Sequence, residues 1–392
     1  MAKVLLVDTN FSSRPIFAEL ERLGHEVHVV GGNPSDSLAK SVKNYWQLDY
    51  ALVTQLGELV ERERFDFLVP GCTDRSYSSC SAVSQGRFPG IETIQVDQDL
   101  NHKDRFRKLA LQLKLPVPNV QWQDGDRDAG PTEPDLVNLV WPLVIKPVDA
   151  FSGKGITVLS HSQRLELRNA MALAQKYSAR GMCLIEDFKN GQLHSHSAFL
   201  SAGRVVQDVV VVEHGTANPF VVDTSRVVIN MPDEVIQKLR TAVEAIAGAL
   251  ELCDGLLHTQ FILDGTQPWL IESTRRCPGD LYSQLVELSG RRGYVKNYIR
   301  PFLGLSVVPE HPQDFCPVMR HTVTVSNAQN FSHLEFHRSV LLEKWVPLCL
   351  TGDPLQASPA SRIGILFAKE KDMDSLDQLY ATTLRRELYD VM

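Results

Sequence analysis

The chain is poor in the features that would place it outside the ordinary globular proteins. It has seven cysteines, at positions 72, 80, 183, 253, 277, 316 and 349, an odd number with no C-x-x-C spacing. That argues against a disulfide scaffold or a structural zinc site and makes a reducing cytoplasm the expected setting. No apolar run approaches the ~20 residues that span a bilayer, so no membrane partner is expected. The opening MAKVLLVDTN enters a strand pattern at once, without the basic region and apolar stretch of a secretory signal. Positive charge is also in deficit. A formal net charge of −7 excludes nucleic-acid binding through bulk positive charge, while leaving local basic clusters open. No internal repeat or low-complexity tract is found.

What remains is a globular composition, 43% hydrophobic and 22% charged over 392 residues, too long for one ordinary core. The N-terminal hundred residues alternate strand and helix: strands at Lys3–Val7, His25–Val30 and Phe67–Pro70, helices from about Ser13 to Leu23 and Thr54 to Arg64. This alternation implies β-α-β units and a doubly wound parallel sheet, which binds ligands at the carboxyl ends of its strands. Those ends carry Asp8-Thr9-Asn10 and Gly71 to Arg75. The first strand is followed by DTNFSSRP rather than G-x-G-x-x-G, so the glycines that admit a pyrophosphate are missing and a nicotinamide site is not expected.

Further on, Asn101–Leu113 reads as an amphipathic helix and Gly125–Pro134 as a polar loop. Trp141–Pro147 (WPLVIKP) is a strand with Lys146 inside its apolar run. A lysine there is costly unless it meets an anion or snorkels to an edge. The small loop Asp149 to Gly155, before another strand at Ile156–Leu159, contains Ser152, Gly153 and Gly155. It can fold over phosphates or serve only as a turn, and it lacks Walker A spacing. Met182–Phe188 is a strand ending in Glu186 and Asp187, and Pro232–Leu252 a long helix. After Pro301, strands at Val318–Val325, Ser339–Glu343 and Arg362–Phe367 precede a helix over Ser375–Glu387.

The stretch HTQFILDGTQPWLIESTRRCPGD, from His258 to Asp280, reads as two strands, Thr259–Leu263 and Pro268–Ile271, joined through Asp264-Gly265. Gln260 and Glu272 then stand at the ends of neighbouring strands and can point into one space, with Thr274, Arg275 and Arg276 beside them. Such oxygen donors suit Mg²⁺, which takes one or two protein carboxylates plus phosphate oxygens. A surface hairpin with solvated charges is the other reading of the same residues.

In order, Lys103, Lys146, the glycine loop, Glu186-Asp187-Phe188, Gln260 and Glu272-x-Thr274-x-Arg276 resemble the ATP-grasp superfamily, especially its carboxylate-amine ligases and the large subunit of carbamoyl phosphate synthetase. The resemblance implies a pre-ATP-grasp domain over residues 1–100, an ATP-grasp fold over 101–304 (nucleotide lobe about 115–190, metal lobe about 191–304) and a C-terminal α+β subdomain over 305–392. It implies ATP with Mg²⁺, or Mn²⁺ in its place. Lys103 and Lys146 would meet the nucleotide phosphates beneath Ser152, Gly153 and Gly155. Glu186, Asp187 and Phe188 would lie along adenine and ribose. Gln260, Glu272 and Thr274 would hold metal, and Arg276 would balance an oxyanion, with Arg275 as a second anion contact or a surface charge. The pattern departs from the family at Thr274, where E-x-N-x-R has Asn, at Gln260, where Glu is commoner, and at His194-Ser195-His196, where an acidic residue is common.

The implied activity is phosphorylation of a substrate carboxylate by ATP, giving an acyl phosphate that an amine displaces to form an amide. The expected partners are therefore a small carboxylate and a small amine, with a homodimer as the admissible assembly. Two alternatives stand beside it: activation of bicarbonate or carbamate, and nucleotide binding without ligation, which Thr274 motivates.

Overall fold

The computed structural model describes residues 1–124, 138–151, 153–291, 293–310 and 314–392. The segment expected to be the polar loop and the candidate Ser152 therefore lie outside the described residues.

The N-terminal region begins with strand β1 (Lys3–Val7), whose Val4 to Val7 are fully buried. It continues through helix α1 (Arg14–Arg22), β2 (Glu26–Gly31), α2 (Ser37–Ser41), β3 (Tyr45–Gln47), α3 (Val53–Glu63) and β4 (Phe67–Pro70). The strands form a parallel sheet in the order β3-β2-β1-β4. α1 buries Ile16, Phe17 and Leu20 against it, as an i, i+4 apolar stripe requires. Each such side chain contributes roughly 1.5–3 kcal/mol by leaving water. Helices α4 (Asp74–Ser84) and α5 (Ile94–Asn101) complete this unit. β3, α4 and α5 were not foreseen, because Tyr45–Gln47 is short and α4 is rich in serine, a poor helix former. The helix expected over Asn101–Leu113 starts at Lys103 as α6 (Lys103–Gln112), since His102 is extended (φ −82°, ψ 121°) and separates it from α5.

A second, antiparallel sheet contains β5 (Val120–Gln123), β6 (Leu143–Pro147), β7 (Thr157–Leu159) and, after α7 (Leu167–Tyr177), β8 (Cys183–Asp187), in the order β5-β8-β6-β7. Leu143, Ile145, Cys183 and Ile185 bury one face against Leu167, Ala170 and Ala174 of α7. By alternation Lys146 and Glu186 project from the other face.

The third sheet holds β9 (Gln192–Ser201), β10 (Arg204–His214), β11 (Thr224–Val227) and, after α8 (Asp233–Ala249), β12 (Gly255–Asp264) and β13 (Gln267–Thr274). Helices α9 (Tyr282–Leu288) and α10 (Tyr294–Ile299) follow, then β14 (Val318–Val323), β15 (Gln329–Asn330), β16 (Leu334–Phe336), β17 (Leu341–Pro347), β18 (Pro354–Leu355), β19 (Gly364–Lys369), α11 (Met373–Leu384) and β20 (Tyr389–Val391). The order is β13-β12-β9-β10-β11-β14-β19-β17, so C-terminal strands continue the sheet begun at β9. Ala198, Leu200, Val210, Leu257 and Phe261 face Leu239, Val243 and Ile246 of α8. Phe199, Val211 and Leu256 share a core with Tyr282, Tyr294, Tyr298 and the N-terminal region. The β12–β13 hairpin is longer than expected and turns at Gly265, whose φ of +59° is one an Asp-Gly turn demands. Among the described residues no helix is long and apolar enough to cross a membrane.

Candidate active site

The site begins with a break in the β12–β13 register. Gln260 pairs with Glu272, but Phe261 pairs with Leu270, leaving Ile271 as the extra residue of a bulge. Strict alternation would put Glu272 on the side of Leu270, which is buried among the α8 core. The bulge instead brings it round beside Gln260. The expected juxtaposition is present, by a device that alternation alone did not contain.

Helix α6 lies between the two antiparallel sheets and ties them together with two cations one turn apart. Lys103 Nζ donates to the Ala150 carbonyl (2.9 Å) and stands 3.5 Å from a Glu272 carboxylate oxygen. Arg107 donates from Nε to Glu186 on β8 (2.6 Å) and from Nη1 to the carbonyl of the bulged Ile271 (2.8 Å). Lys146 completes the cluster through an ion pair with Glu186. Arg107, Lys146 and Glu186 side chains are all at most 4% exposed. Burial pushes the Lys146 ammonium down from 10.5 to about 8, with Glu186 opposing and the Arg107 and Lys103 charges adding to the depression. Burial alone would raise the Glu186 carboxyl, but Arg107 and Lys146 outweigh it and hold it below its ordinary range. Arg107 was missed in the sequence, although its position carries a signal. It stands four residues after Lys103 on the stripe that also holds Phe106 and Ala110, the buried side of α6.

Glu213, on β10, was missed as well. It is buried, with its carboxylate accepting from Ser195 Oγ (2.8 Å) and Gln260 Nε2 (2.7 Å). Its carboxyl is raised by burial, the two hydrogen bonds and Arg320 acting against the shift and Glu272 reinforcing it.

The remaining expected residues are placed as follows. Glu186 commits its carboxylate to two cations, and Asp187 accepts from Asn119 (2.7 Å) and Gln121 (2.6 Å), while Phe188 is 37% exposed. Gly153 and Gly155 both have positive φ, and a Cβ on Gly153 would sit 2.3 Å from the Phe220 carbonyl oxygen. The glycine loop thus rests its backbone on the Gly215–Asp223 segment. Thr274 is buried, with its hydroxyl drawn toward Asp74 of α4 (3.5 Å). Arg276 makes a two-pronged bond to the same Asp74 (2.7 and 2.8 Å), which fastens the hairpin to the N-terminal region. For Arg275 neither expected role holds. It is buried, 3.2 Å from Glu92, and donates to the carbonyls of Cys253 and Asp254. Adjacent residues point oppositely at this strand end, so Arg275 faces the interior seam. In the segment beneath the glycine loop, His214 bonds to Tyr380 (3.0 Å) and Asp223 accepts from the Thr216 and Ala217 backbone nitrogens. A cavity of about 230 Å³ lined by His321, Arg386 and Tyr389 lies in the C-terminal region and contains none of these groups.

The donor set at Gln260 and Glu272 fits a hard cation. Glu272 is 41% exposed and only loosely approached by Lys103, and the Gln260 amide has its nitrogen, not its oxygen, bonded to Glu213. Among the described residues no three His, Cys, Asp or Glu side chains cluster to hold a metal by themselves. The Glu272 carboxylate and the Gln260 amide oxygen are donors of the kind Mg²⁺ takes alongside phosphate and water oxygens.

No family model matches the chain. A curated formate-dependent phosphoribosylglycinamide formyltransferase of Histophilus somni is 28% identical over 189 residues, 47% of each chain, so the match spans about half of that relative's length. The L-amino acid ligase of Bacillus licheniformis superposes with a TM-score of 0.78 at 16% identity, over 100% of this chain and 98% of that one. An N5-carboxyaminoimidazole synthetase from Staphylococcus aureus, solved with ADP, superposes with a TM-score of 0.70 at 12% identity, over 98% and 97% of the two chains.

Proposed function

We propose that this chain, which has the ATP-grasp fold, is an ATP-dependent ligase that joins a small carboxylate to an amine. The observation that carries this reading is the meeting of Lys103 with Glu272, 3.5 Å apart, with Gln260 opposite Glu272. In this reading Lys103 would bind phosphate and Glu272 the metal, side by side. The names of the relatives agree with it, one a formate-dependent formyltransferase and another an amino acid ligase.

Lys103 and Lys146 would hold the β- and γ-phosphates, with Arg107 and Glu186 fixing the cleft floor against which Lys146 is set. Gln260 and Glu272 would hold Mg²⁺, which when bound neutralises the triphosphate and aligns its terminal phosphorus. Gly153 and Gly155 would close over the phosphates. Asp187 and Phe188 would lie at the adenine end. The substrate carboxylate attacks the γ-phosphorus, ADP leaves, and the amine displaces phosphate from the acyl phosphate. Arg276, held by Asp74, would present its remaining N–H edge toward the tetrahedral centre. Thr274 supports metal only by turning from Asp74, the observation that favours nucleotide binding without chemistry as the second reading. A cytoplasmic homodimer, with residues 305–392 as a C-terminal subdomain, completes the proposal.

The test is phosphate release from ATP and Mg²⁺ across pairs of carboxylates and amines, formate and amino acids among them, with products identified by mass. ADP formation dependent on one such pair supports ligation. Tight nucleotide binding with no pair-dependent turnover supports the second reading.

A further inference from the structure

Gln260 poses a problem that its role as a metal ligand does not solve. A carboxamide has one oxygen that can ligate a hard cation and one nitrogen that cannot, and its two ends have nearly the same shape. Half of its orientations would present N–H groups to the metal. The structure holds it one way. Gln260 Nε2 donates to Glu213 Oε2 at 2.7 Å, and a carboxylate, being an acceptor only, admits no other end of the amide. Glu213 in turn is 4% exposed, and Ser195 Oγ–H fixes its other oxygen at 2.8 Å. Ser195 pairs with Gln260 across β9 and β12, and Tyr282 Oη lies 3.2 Å from its hydroxyl. The chain of bonds is anchored in the buried core.

We propose that Glu213 is a positioning residue: it locks the Gln260 carboxamide so that Oε1 faces Glu272 and the metal. It also explains how a glutamine serves where a symmetric carboxylate would need no such lock. The inference rests on the ligase reading above, because it presupposes a divalent cation at Gln260 and Glu272.

The experiment is a Mn²⁺ titration of the full chain with ADP, following free Mn²⁺ by its paramagnetic resonance signal. Outer-shell partners of metal ligands are worth about 10–100-fold in affinity. Glu213→Gln, which keeps an acceptor for Ser195 but lets the Gln260 amide bond either way round, should weaken Mn²⁺ binding by about that factor. ADP affinity in chelator and the melting temperature should stay near wild type. Glu213→Gln combined with Gln260→Glu should restore Mn²⁺ binding to within about threefold, since either carboxylate oxygen at 260 can then face the metal. A merely structural role would not be rescued in this way. Wild-type affinity in Glu213→Gln, or no recovery in the double variant, overturns the proposal. If Glu272→Ala weakens Mn²⁺ binding while Glu213→Gln does not, only the positioning role fails. If wild type takes up no Mn²⁺ with ADP, the ligase reading fails and the positioning role with it.

Discussion

Lys146 is a cation buried against Glu186, and its titration should govern nucleotide binding. Its depression from 10.5 to about 8 is caused first by burial and is opposed by Glu186. It corresponds to roughly 3 kcal/mol against the charged form. If a phosphate needs that charge, the affinity of the free protein for ADP should be level near neutrality and fall about tenfold per pH unit above about 8. Glu186→Gln removes the anion in contact with the ammonium. At an effective dielectric of about 20, contact attraction amounts to several kcal/mol, of which the desolvation of Glu186 takes back a share. A further fall in the Lys146 pKa of about two units is therefore expected, leaving the amine mostly neutral at pH 7 and ADP binding about tenfold weaker there. Acidification should recover part of that loss. Calorimetric titration of ADP at a series of pH values measures both effects. A wild-type affinity that stays flat well above pH 8, or a Glu186→Gln defect indifferent to pH, would refute the assignment. The stability linkage has a definite sign too. The folded state binds fewer protons than the unfolded between about 8 and 10.5, so this group's contribution to stability rises with pH across that window.

Glu272→Ala should cut ADP formation by about 10²–10³-fold while leaving the fold intact, since a partly exposed carboxylate is lost from a strand end; steady-state kinetics and far-ultraviolet dichroism check the two halves. Asp74→Ala strands the Arg276 guanidinium at the junction between α4 and the hairpin and should cost about 3 kcal/mol, read from urea unfolding. Arg276→Ala in the same background should cost little more, because the pair acts as a unit. Gly153→Ala places a Cβ 2.3 Å from the Phe220 carbonyl oxygen at a φ of +69°, so the loop must move. Nucleotide on-rates measured by stopped flow should change, with Glu272-dependent Mn²⁺ binding unaffected.

β1, β2 and β4 of the parallel sheet were legible because each is a short apolar run punctuated by polar strand ends, whereas the three residues of β3 are not. Lys146 was legible because a lysine inside an apolar strand is unusual, Gln260 and Glu272 because they stand at the ends of neighbouring strands, and Lys103 only through the family resemblance. Their partners were not. Arg107 reaches Glu186 across 79 residues, Gln260 reaches Glu213 across 47 and Arg276 reaches Asp74 across 202. Such pairs are set by how sheets stack, which a local pattern does not encode. The bulge at Ile271 is a similar case: nothing in QPWLIEST marks the extra residue, yet it decides which way Glu272 points. Arg275 and Arg276 look interchangeable in sequence and differ only because one faces Glu92 and the other Asp74. Glu213 closes a run of four valines, and a carboxylate there was the unread signal.

The most direct test of the cleft is a crystal structure of the full chain with Mg²⁺ and a non-hydrolysable ATP analogue. The expected result is a cation at about 2.1 Å from a Glu272 oxygen and from Gln260 Oε1, with Lys103 and Lys146 on the β- and γ-phosphates. A nucleotide bound elsewhere, or a cation held by phosphates and water alone with Gln260 turned away, would contradict it.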